Sequence, residues 1–357
     1  MHKVTFGKSV SLYPDLRNEV NNYFKETNTS PKGNFRLYFK TILLYGALFG
    51  LYTTLVFFTP ASVALNVLLC MLFGANIALI GFNIAHDASH DSYSNNKTLN
   101  KVMAYSFDLL GVTSFLWRTK HNVLQHTFTN IDGMDSDIIQ TKLLRLAPTQ
   151  KKRWVHQYQH LYCTLLYSVS YIVWVFYNDF VKYFKKKVHN TPLTGFTLRE
   201  HLIFWSFKTF YVLVFFVVPI LFVQSVAMVL VGYLIMGISC GFLLGMTFQL
   251  AHVVEITDYE DASKGALDIE NEWAAHQIET TANFAPTNKV VTWLLGGLNY
   301  QVEHHLFPNV SHVHYPRINR IVKSICARYQ LQYNSYPSLI SALRSHFKEM
   351  KYLGNVA

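Results

Sequence analysis

Charged side chains are scarce in this chain: Asp, Glu, Lys and Arg together make up 15% of its 357 residues. Soluble domains carry about a quarter, so two soluble domains, which the length would allow, are disfavoured. Only four cysteines are present, and none forms a Cys-x-x-Cys pair, so a disulfide framework is not implied. The scarcity of charge directs attention to the apolar half of the composition.

Hydrophobic residues make up 51% of the chain and aromatic residues 15%, a composition that fits a membrane protein with interfacial aromatic belts. A membrane-spanning helix needs about 20 apolar residues. The segments that meet this requirement are 41–59, 62–85, 203–223 and 226–252. A fifth segment, 161–180, is borderline because it contains many Tyr and Ser residues.

The loops between these segments predict the topology. The turns at 59–62 and 224–225 carry no charge, whereas the remaining connections and the C-terminal tail are rich in Lys and Arg. Two tight turns make two helical hairpins, and the positive-inside rule places the basic segments and both termini in the cytoplasm. If 161–180 also crossed, His252 would end on the face opposite His86, so we expect this segment to lie at the interface without crossing.

The sequence therefore predicts an all-α, multi-pass integral membrane protein that forms a single domain over 1–357. Four transmembrane helices would carry a cytoplasmic helical cap made from 86–200 and 253–357. The net charge of +10 fits positive-inside bias and a basic surface that faces anionic lipid or a phosphate-bearing substrate. Nucleic acid is not an expected partner, because the basic residues flank apolar segments and do not form one patch.

Histidines recur in pairs near the ends of the predicted spans. His86 and His90 follow the second span at a spacing of four, which places both imidazoles on one helix face. His121 and His126 are five apart, a spacing that serves one helix face only if the helix bends. His304 and His305 are adjacent, so their side chains diverge by about 100° and could serve two metals, or one metal and a hydrogen bond.

His252 ends the fourth span, where an interfacial anchor is the alternative interpretation. By the predicted topology, this histidine and the three pairs all lie on the cytoplasmic face. Coordination by imidazole without cysteine suits iron, zinc or copper. Carboxylates close by in the sequence could hold imidazole N–H groups; they are Asp87, Asp91, Asp132, Asp135, Asp137 and Glu303.

These motifs resemble the three histidine boxes of the membrane fatty acid desaturases. The first box is His86 to His90, the second lies within 117–130, and the third is 301–308 with Gln301 in the leading position. A leading Gln is similar to front-end desaturases, which insert a double bond between an existing one and the carboxyl end. The stretches 272–277 and 280–284 also look like this group, so the resemblance covers about 35–325.

The resemblance implies an O2-dependent oxidoreductase with a cytoplasmic di-iron site and no catalytic side chains beyond the metal ligands. The implied ligands are His86, His90, His121, His126, His252, His304 and His305, with Gln301 close to the metals. The substrate would be a fatty acyl chain on coenzyme A, a carrier protein or a membrane lipid. The sequence has no glycine-rich dinucleotide fingerprint and no His-Pro-Gly-Gly haem-domain signature, so electrons would come from an external ferredoxin or small haem cytochrome.

Gln125 departs from the family pattern, because it stands where the second box usually has the first of two adjacent histidines. Its amide oxygen is a weaker ligand than imidazole, so Gln125 is a candidate for a metal contact or for a supporting hydrogen bond, and a catalytically weak relative is one interpretation. Asp87 and His276 are further candidates for a metal contact or for a supporting hydrogen bond, as is Gln301. Basic residues that could contact substrate or electron donor are Arg118, Lys120 and Lys152.

Other functions remain open at this stage. A fatty acyl hydroxylase or acetylenase would use the same boxes, and a membrane zinc hydrolase would use similar ligands. A metal transporter is disfavoured, because transport predicts polar residues at mid-span and these spans carry almost none.

Overall fold

The computed structural model describes residues 3–8, 11–138, 141–189 and 191–356, and most of them are helical. The helices of the N-terminal half are α1 (Leu12–Glu26), α2 (Phe35–Phe57), α3 (Val63–Ser89), α4 (Lys97–Ala104), α5 (Ser106–Leu109), α6 (Ser114–Arg118) and α7 (Trp154–Lys185). Those of the C-terminal half are α8 (Leu198–Val223), α9 (Val226–His252), α10 (Trp273–Thr280), α11 (Lys289–Leu294), α12 (Gln301–Leu306), α13 (Tyr315–Arg328) and α14 (Leu339–Asn355).

Five of the described helices are long and apolar enough to cross a membrane: α2, α3, α7, α8 and α9. The sequence predicts four such helices and a shorter interfacial segment at 161–180, whereas α7 is one continuous helix of 32 residues. Many large apolar side chains on these helices are exposed, including Ile42, Phe49 and Leu221. An apolar surface of this extent is what a lipid-facing bundle presents.

The two predicted hairpin turns are present. Ser62 and Ser225 cap the N-termini of α3 and α9, and their hydroxyl oxygens accept hydrogen bonds from the amides of Leu65 and Met228. Such caps satisfy amides that a helix leaves without partners. Each hairpin therefore reverses the chain within a few uncharged residues.

Helix α9 lies at the centre of the bundle, in contact with both α3 and α7. A Cβ atom at Gly74 would clash with the carbonyl oxygen of Met236, and one at Gly241 with that of Ser168. Small residues allow helix backbones to approach this closely in a membrane. The close contact fixes the position of His252, at the end of α9, relative to the end of α3.

Buried polar contacts hold the bundle near the first histidine pair. The ammonium of Lys40 on α2 donates to Asn83 Oδ1 at 2.6 Å and to the carbonyl of Trp293 at 2.7 Å. Asn83 lies in a π-helical segment, Gly81–Ala85, directly before His86. Single π turns within α-helices occur frequently at functional sites.

Short strands add a β component that the all-α prediction lacks. They are β1 (Val4–Gly7), β2 (Ile131–Asp132), β3 (Lys187–Val188), β4 (Thr191–Pro192), β5 (Glu260–Asp261), β6 (Leu267–Glu272), β7 (Asn283–Phe284) and β8 (Ser335–Tyr336). Within the described residues they form the two-stranded ladders β1–β6, β2–β5, β3–β4 and β7–β8. The parallel β2–β5 ladder joins the chain after the second histidine pair to the chain after α9.

Candidate metal centre

The three histidine pairs converge, although they are far apart in the sequence. His86, His90, His121 and His304 form one buried group, and their candidate ligand atoms lie within 4.8 Å of one another. His126, His304 and His305 form a second group by the same measure. The sequence-based expectation that separate helices bring these imidazoles together is therefore met.

His121 belongs to the first group and lies close to members of both groups. Its Nε2 atom is 3.1 Å from Nε2 of His86, 3.2 Å from that of His126 and 3.3 Å from that of His304. The five-residue spacing of His121 and His126 is accommodated by a π-helical segment, Thr119–Gln125, in which the amide of His126 donates to the carbonyl of His121 at 3.1 Å. An i to i+5 hydrogen bond is the repeat of a π-helix, so the bend expected from the spacing takes this form.

The adjacent residues His304 and His305 share the second group, and only His304 also belongs to the first. The two ring planes are inclined at 88°. His304 belongs to both groups, whereas the ring of His305 stacks on that of His126, with centroids 4.4 Å apart. The divergence of these neighbouring side chains on α12 lets His304 reach both groups and His305 the second one.

The chemistry of these residues fits a metal ion. Burial, reinforced by neighbouring imidazoles, lowers the pKa of His90, His304 and His305 well below the usual range, and burial lowers that of His126 to about 3. Neutral imidazoles whose Nε2 lone pairs face one another repel unless a cation lies between them. Nitrogens bound to one ion at ~2.1 Å are separated by roughly 3.0–3.4 Å, in agreement with the distances around His121.

Hydrogen bonds at the outer nitrogens favour the required tautomer of three imidazoles. Nδ1 of His121 is bonded to Gln125 Oε1, that of His304 lies 3.2 Å from the Tyr315 hydroxyl, and that of His305 lies 2.8 Å from Gln277 Oε1. An Nδ1–H that donates to an oxygen leaves the lone pair on Nε2, facing inward. In the described structure Nε2 of His305 is buried without a hydrogen-bond partner.

The partners of these imidazoles differ from the carboxylates suggested by the sequence. They are amides and a phenol, and Gln277 and Tyr315 were missed as supporting residues. Gln277 lies within 272–277, one of the stretches that resembles the family, so a signal was available. Nothing in the sequence pattern marks Tyr315.

Three further polar side chains lie beside the second group. Nε2 of His252 lies 3.0 Å from the amide nitrogen of Gln301 and 3.3 Å from that of Gln125. The His252 ring is 5.0 Å from the ring of His305. His252, Gln125 and Gln301 therefore lie beside the second group, where an imidazole or an amide oxygen could contribute to an ion.

Asp87 and His276 support the centre from outside. The Asp87 carboxylate accepts from the Ser311 hydroxyl at 2.7 Å and lies 3.0 Å from Nδ1 of His312, so it ties the first pair to the segment after α12. His276 lies 2.9 Å from the carbonyl of Thr129 through Nε2 and belongs to neither imidazole group. Both side chains contact residues next to the histidine boxes.

Glu303 holds α12 in place from the side opposite His304. Its buried carboxylate accepts from Tyr333 at 2.6 Å, from Asn283 at 2.7 Å and from Asn319 at 3.2 Å. These donors come from three separate elements, so Glu303 fixes the orientation of the third histidine pair.

The basic residues proposed for substrate or donor contact have different environments. Arg118 is exposed and lies 3.9 Å from Asp91. Lys120 forms an ion pair with Asp137 and lies over the Trp174 ring. Lys152 donates to the carbonyl of Asn355 on the C-terminal helix. Arg118 and Lys120 are thus close in sequence to the second histidine pair, whereas Lys152 contacts the C-terminal helix.

A narrow apolar cavity of about 30 Å³ reaches the first imidazole group. Its walls include His86, Phe107, Trp117 and Cys240, and Trp117 also stacks on the ring of His121 with centroids 4.4 Å apart. Most of the lining residues are apolar, which suits the methylene groups of a hydrocarbon.

Comparison with known proteins identifies clear relatives. The family described as "Fatty acid desaturase" matches residues 62–337. The sn-1 linoleoyl-lipid 6-desaturase of Arthrospira platensis is 35% identical over 98% of this chain and 94% of its own length. The protein of the same name from Synechocystis sp. is 34% identical over 99% of both chains. The acyl-lipid (8-3)-desaturase of Physcomitrium patens is 35% identical over 98% of this chain and 75% of its own length.

Proposed function

This chain belongs to the fatty acid desaturase family, and from that premise we propose that it inserts a double bond into an acyl chain carried by a membrane lipid. Two hydrogens leave adjacent methylenes, and O2 with two further electrons and two protons is reduced to two molecules of water. The observation that carries the proposal is a buried imidazole centre at the end of a narrow apolar cavity, with His86 in both.

We assign two iron ions to the centre. His86, His90, His121 and His304 would hold one ion, and His126 and His305 would hold the other, with His304 between them and His252, Gln125 and Gln301 beside the second. Iron with O2 supplies the oxidising power that no acid or base side chain has. The protein positions one methylene pair beside this centre and excludes water from it.

The choice of a lipid-linked substrate rests on the relatives, whose names describe acyl-lipid and linoleoyl-lipid desaturases. Coenzyme A and a carrier protein are the other acyl carriers. Gln301 at the head of the third box supports front-end regiochemistry, in which the new double bond lies on the carboxyl side of an existing one.

We further propose that four helices cross the membrane and that α7 does not. The carbonyl of His156, at the start of α7, packs against Gly354 of the C-terminal helix. Just after its end, His189 lies 2.8 Å from the carbonyl of Gly133, which follows the second histidine pair. Contact of both ends of α7 with the cap supports a path that leaves His86 and His252 on one face, the cytoplasmic one.

An external ferredoxin or small haem cytochrome is the proposed electron donor, and Arg118, Lys120 and Lys152 are the proposed contacts for an acidic donor or a phosphate-bearing headgroup. Arg118 is more available than Lys120, whose ammonium already pairs with Asp137. Reversal of all three charges is expected to weaken donor or substrate affinity. Unchanged affinity for both would remove this assignment.

The function is tested by expression in a host that is fed defined fatty acids, with double-bond positions mapped by mass spectrometry. We expect a new double bond between an existing one and the carboxyl end, and none from the His121→Ala variant. A hydroxylated or acetylenic product would favour the corresponding alternative on this scaffold. Stoichiometric zinc without iron in protein from iron-replete cells, together with no lipid product, would favour a zinc hydrolase.

A further inference from the structure

Two apolar cavities follow each other along the interface of α3 and α9. The narrow cavity at the metal centre is lined by Ile77 and Cys240. A larger cavity of about 410 Å³ is lined by Phe73 and Met236. Each pair of residues lies one helical turn beyond the other on the same helices, so a single layer of side chains separates the two cavities.

A chain of three tyrosine hydroxyls crosses this layer. The hydroxyl of Tyr171 lies 2.7 Å from the carbonyl of Leu110, the hydroxyls of Tyr171 and Tyr211 are 3.0 Å apart, and those of Tyr211 and Tyr233 are 2.7 Å apart. Tyr171 lines the narrow cavity and Tyr233 lines the larger one. The chain of hydroxyls therefore extends from one cavity to the other.

The hydrogen bonds make this layer rigid. Each hydroxyl donates to the next, and the chain ends on the carbonyl of Leu110, so a displacement of Tyr211 would leave its own hydroxyl and that of Tyr233 without an acceptor. All three side chains are buried in an apolar part of the bundle, where an unpaired hydroxyl is destabilising. A hydrocarbon chain that presses on the layer gains less from the burial of one further methylene than the loss of such a hydrogen bond costs.

We propose that Tyr171, Tyr211 and Tyr233, together with Met236, form the floor of the acyl site and set the longest hydrocarbon that fits beyond the metal centre. The proposal rests on the desaturase function given above. The polar headgroup stays at the aqueous face because burial of charge is costly, so the methyl end of the acyl chain reaches the floor. The larger cavity beneath stays closed to substrate.

Two variants test the floor. Met236→Ala removes side-chain volume between the cavities, and Tyr211→Phe removes the central hydroxyl with little change of shape. The control is Tyr52→Phe, whose hydroxyl bonds the carbonyl of Val214 at 2.8 Å beside the larger cavity and takes no part in the chain of hydroxyls. Each variant is purified, checked for iron content and supplied with acyl chains of increasing length.

For Met236→Ala we expect the ratio of long-chain to short-chain conversion to rise by roughly tenfold, the discrimination that a hydrophobic pocket gives for about one methylene. Tyr211→Phe should shift the ratio in the same direction, and Tyr52→Phe should match the wild type. An unchanged ratio in iron-loaded Met236→Ala and Tyr211→Phe, or an equal shift in Tyr52→Phe, would overturn the proposal.

Photolabelling of the acyl site tests the floor independently of the proposed desaturase function. A fatty acid with a photoreactive group at its methyl end should label the wild type near Tyr171 and Cys240, and Met236→Ala near Phe73. Labelling at these places without any double-bond formation would support the floor and reject the desaturase function. If the wild type forms the double bond but is labelled near Phe73, the result would support the desaturase function and reject the floor.

Discussion

The side-chain nitrogen of Gln125 lies 3.3 Å from Nε2 of His252, although the two residues are 127 positions apart. The oxygen of the same amide is bonded to Nδ1 of His121. One amide thus connects the imidazole at the centre of the first group to the histidine beside the second. The residue that departs from the family pattern has a definite structural role as a bridge.

Replacement of Gln125 by Ala is expected to weaken metal binding by about 10–100-fold, the usual cost of removing a hydrogen-bond partner of a ligating imidazole. The reason is that His121 loses the acceptor that holds its proton on Nδ1. Titration of the metal-free protein with Fe(II) or Co(II), followed by absorption and metal analysis, measures this. Val123→Ala is the matched control, because Val123 is an exposed residue of the same π-helical segment.

Gln125→His should instead retain at least as much metal as the wild type, because it adds an imidazole next to His252. Iron content that does not change in either variant would show that Gln125 neither supports His121 nor reaches the metals.

Asp179 on α7 and Lys208 on α8 form a buried ion pair, 3.0 Å apart. We expect the effects of replacing these two residues on the free energy of unfolding to depend strongly on each other. Asp179→Ala or Lys208→Met should each cost about 3–5 kcal/mol of unfolding free energy, because each leaves an unpaired buried charge. The double variant should cost less than the sum. Unfolding in mixed detergent micelles gives the three values.

The exposed ion pair of Arg328 and Glu19 is the control for these variants. Arg328→Ala should lower the free energy of unfolding by no more than about 1 kcal/mol. Additive costs at Asp179 and Lys208 would contradict the prediction.

The proposed path of α7 predicts the side from which its two ends can be labelled. All four native cysteines are buried, so single introduced cysteines give a clean signal. Lys152→Cys and Lys185→Cys, before and at the end of α7, should react from the same side of intact membranes. Ala61→Cys, in the first hairpin turn, should react from the other side. Reaction of Lys185→Cys together with Ala61→Cys would show that α7 crosses.

We expect Glu349 on the C-terminal helix to make the free energy of unfolding depend on pH. Burial, with the charge of Glu255 nearby, raises the pKa of Glu349 to about 7, whereas an unfolded Glu titrates near about 4.3. The folded chain therefore keeps a proton that the unfolded chain loses, so the free energy of unfolding falls as the pH rises between these values. Tyr259, Tyr336 and Lys348, which pairs with Glu255, are further titratable groups close by.

Glu349→Gln removes this penalty, so the variant should gain about 1–3 kcal/mol near pH 8 and almost nothing near pH 4.5. Unfolding at both pH values measures the gain, with exposed Glu19→Gln as the comparison. An equal gain at the two pH values would reject ionisation of Glu349 as the cause.

Several features followed from the sequence by itself. The four predicted spans coincide with α2, α3, α8 and α9, because the length and apolarity of a membrane helix are local properties of its residues. The histidine pairs identified the centre before any fold was known, since spacing along the chain placed imidazoles at the ends of spans. The family resemblance rested on the same residues.

Tertiary structure decided the rest. The extension of the borderline segment into α7 depends on its contact with α9 at Gly241, and the bridge from His121 through Gln125 to His252 depends on where separate helices end. Gln277 and Tyr315 support imidazoles far away in the chain. Such pairings form only when the chain folds, because hydrogen-bond partners are chosen by three-dimensional proximity and not by spacing in the sequence.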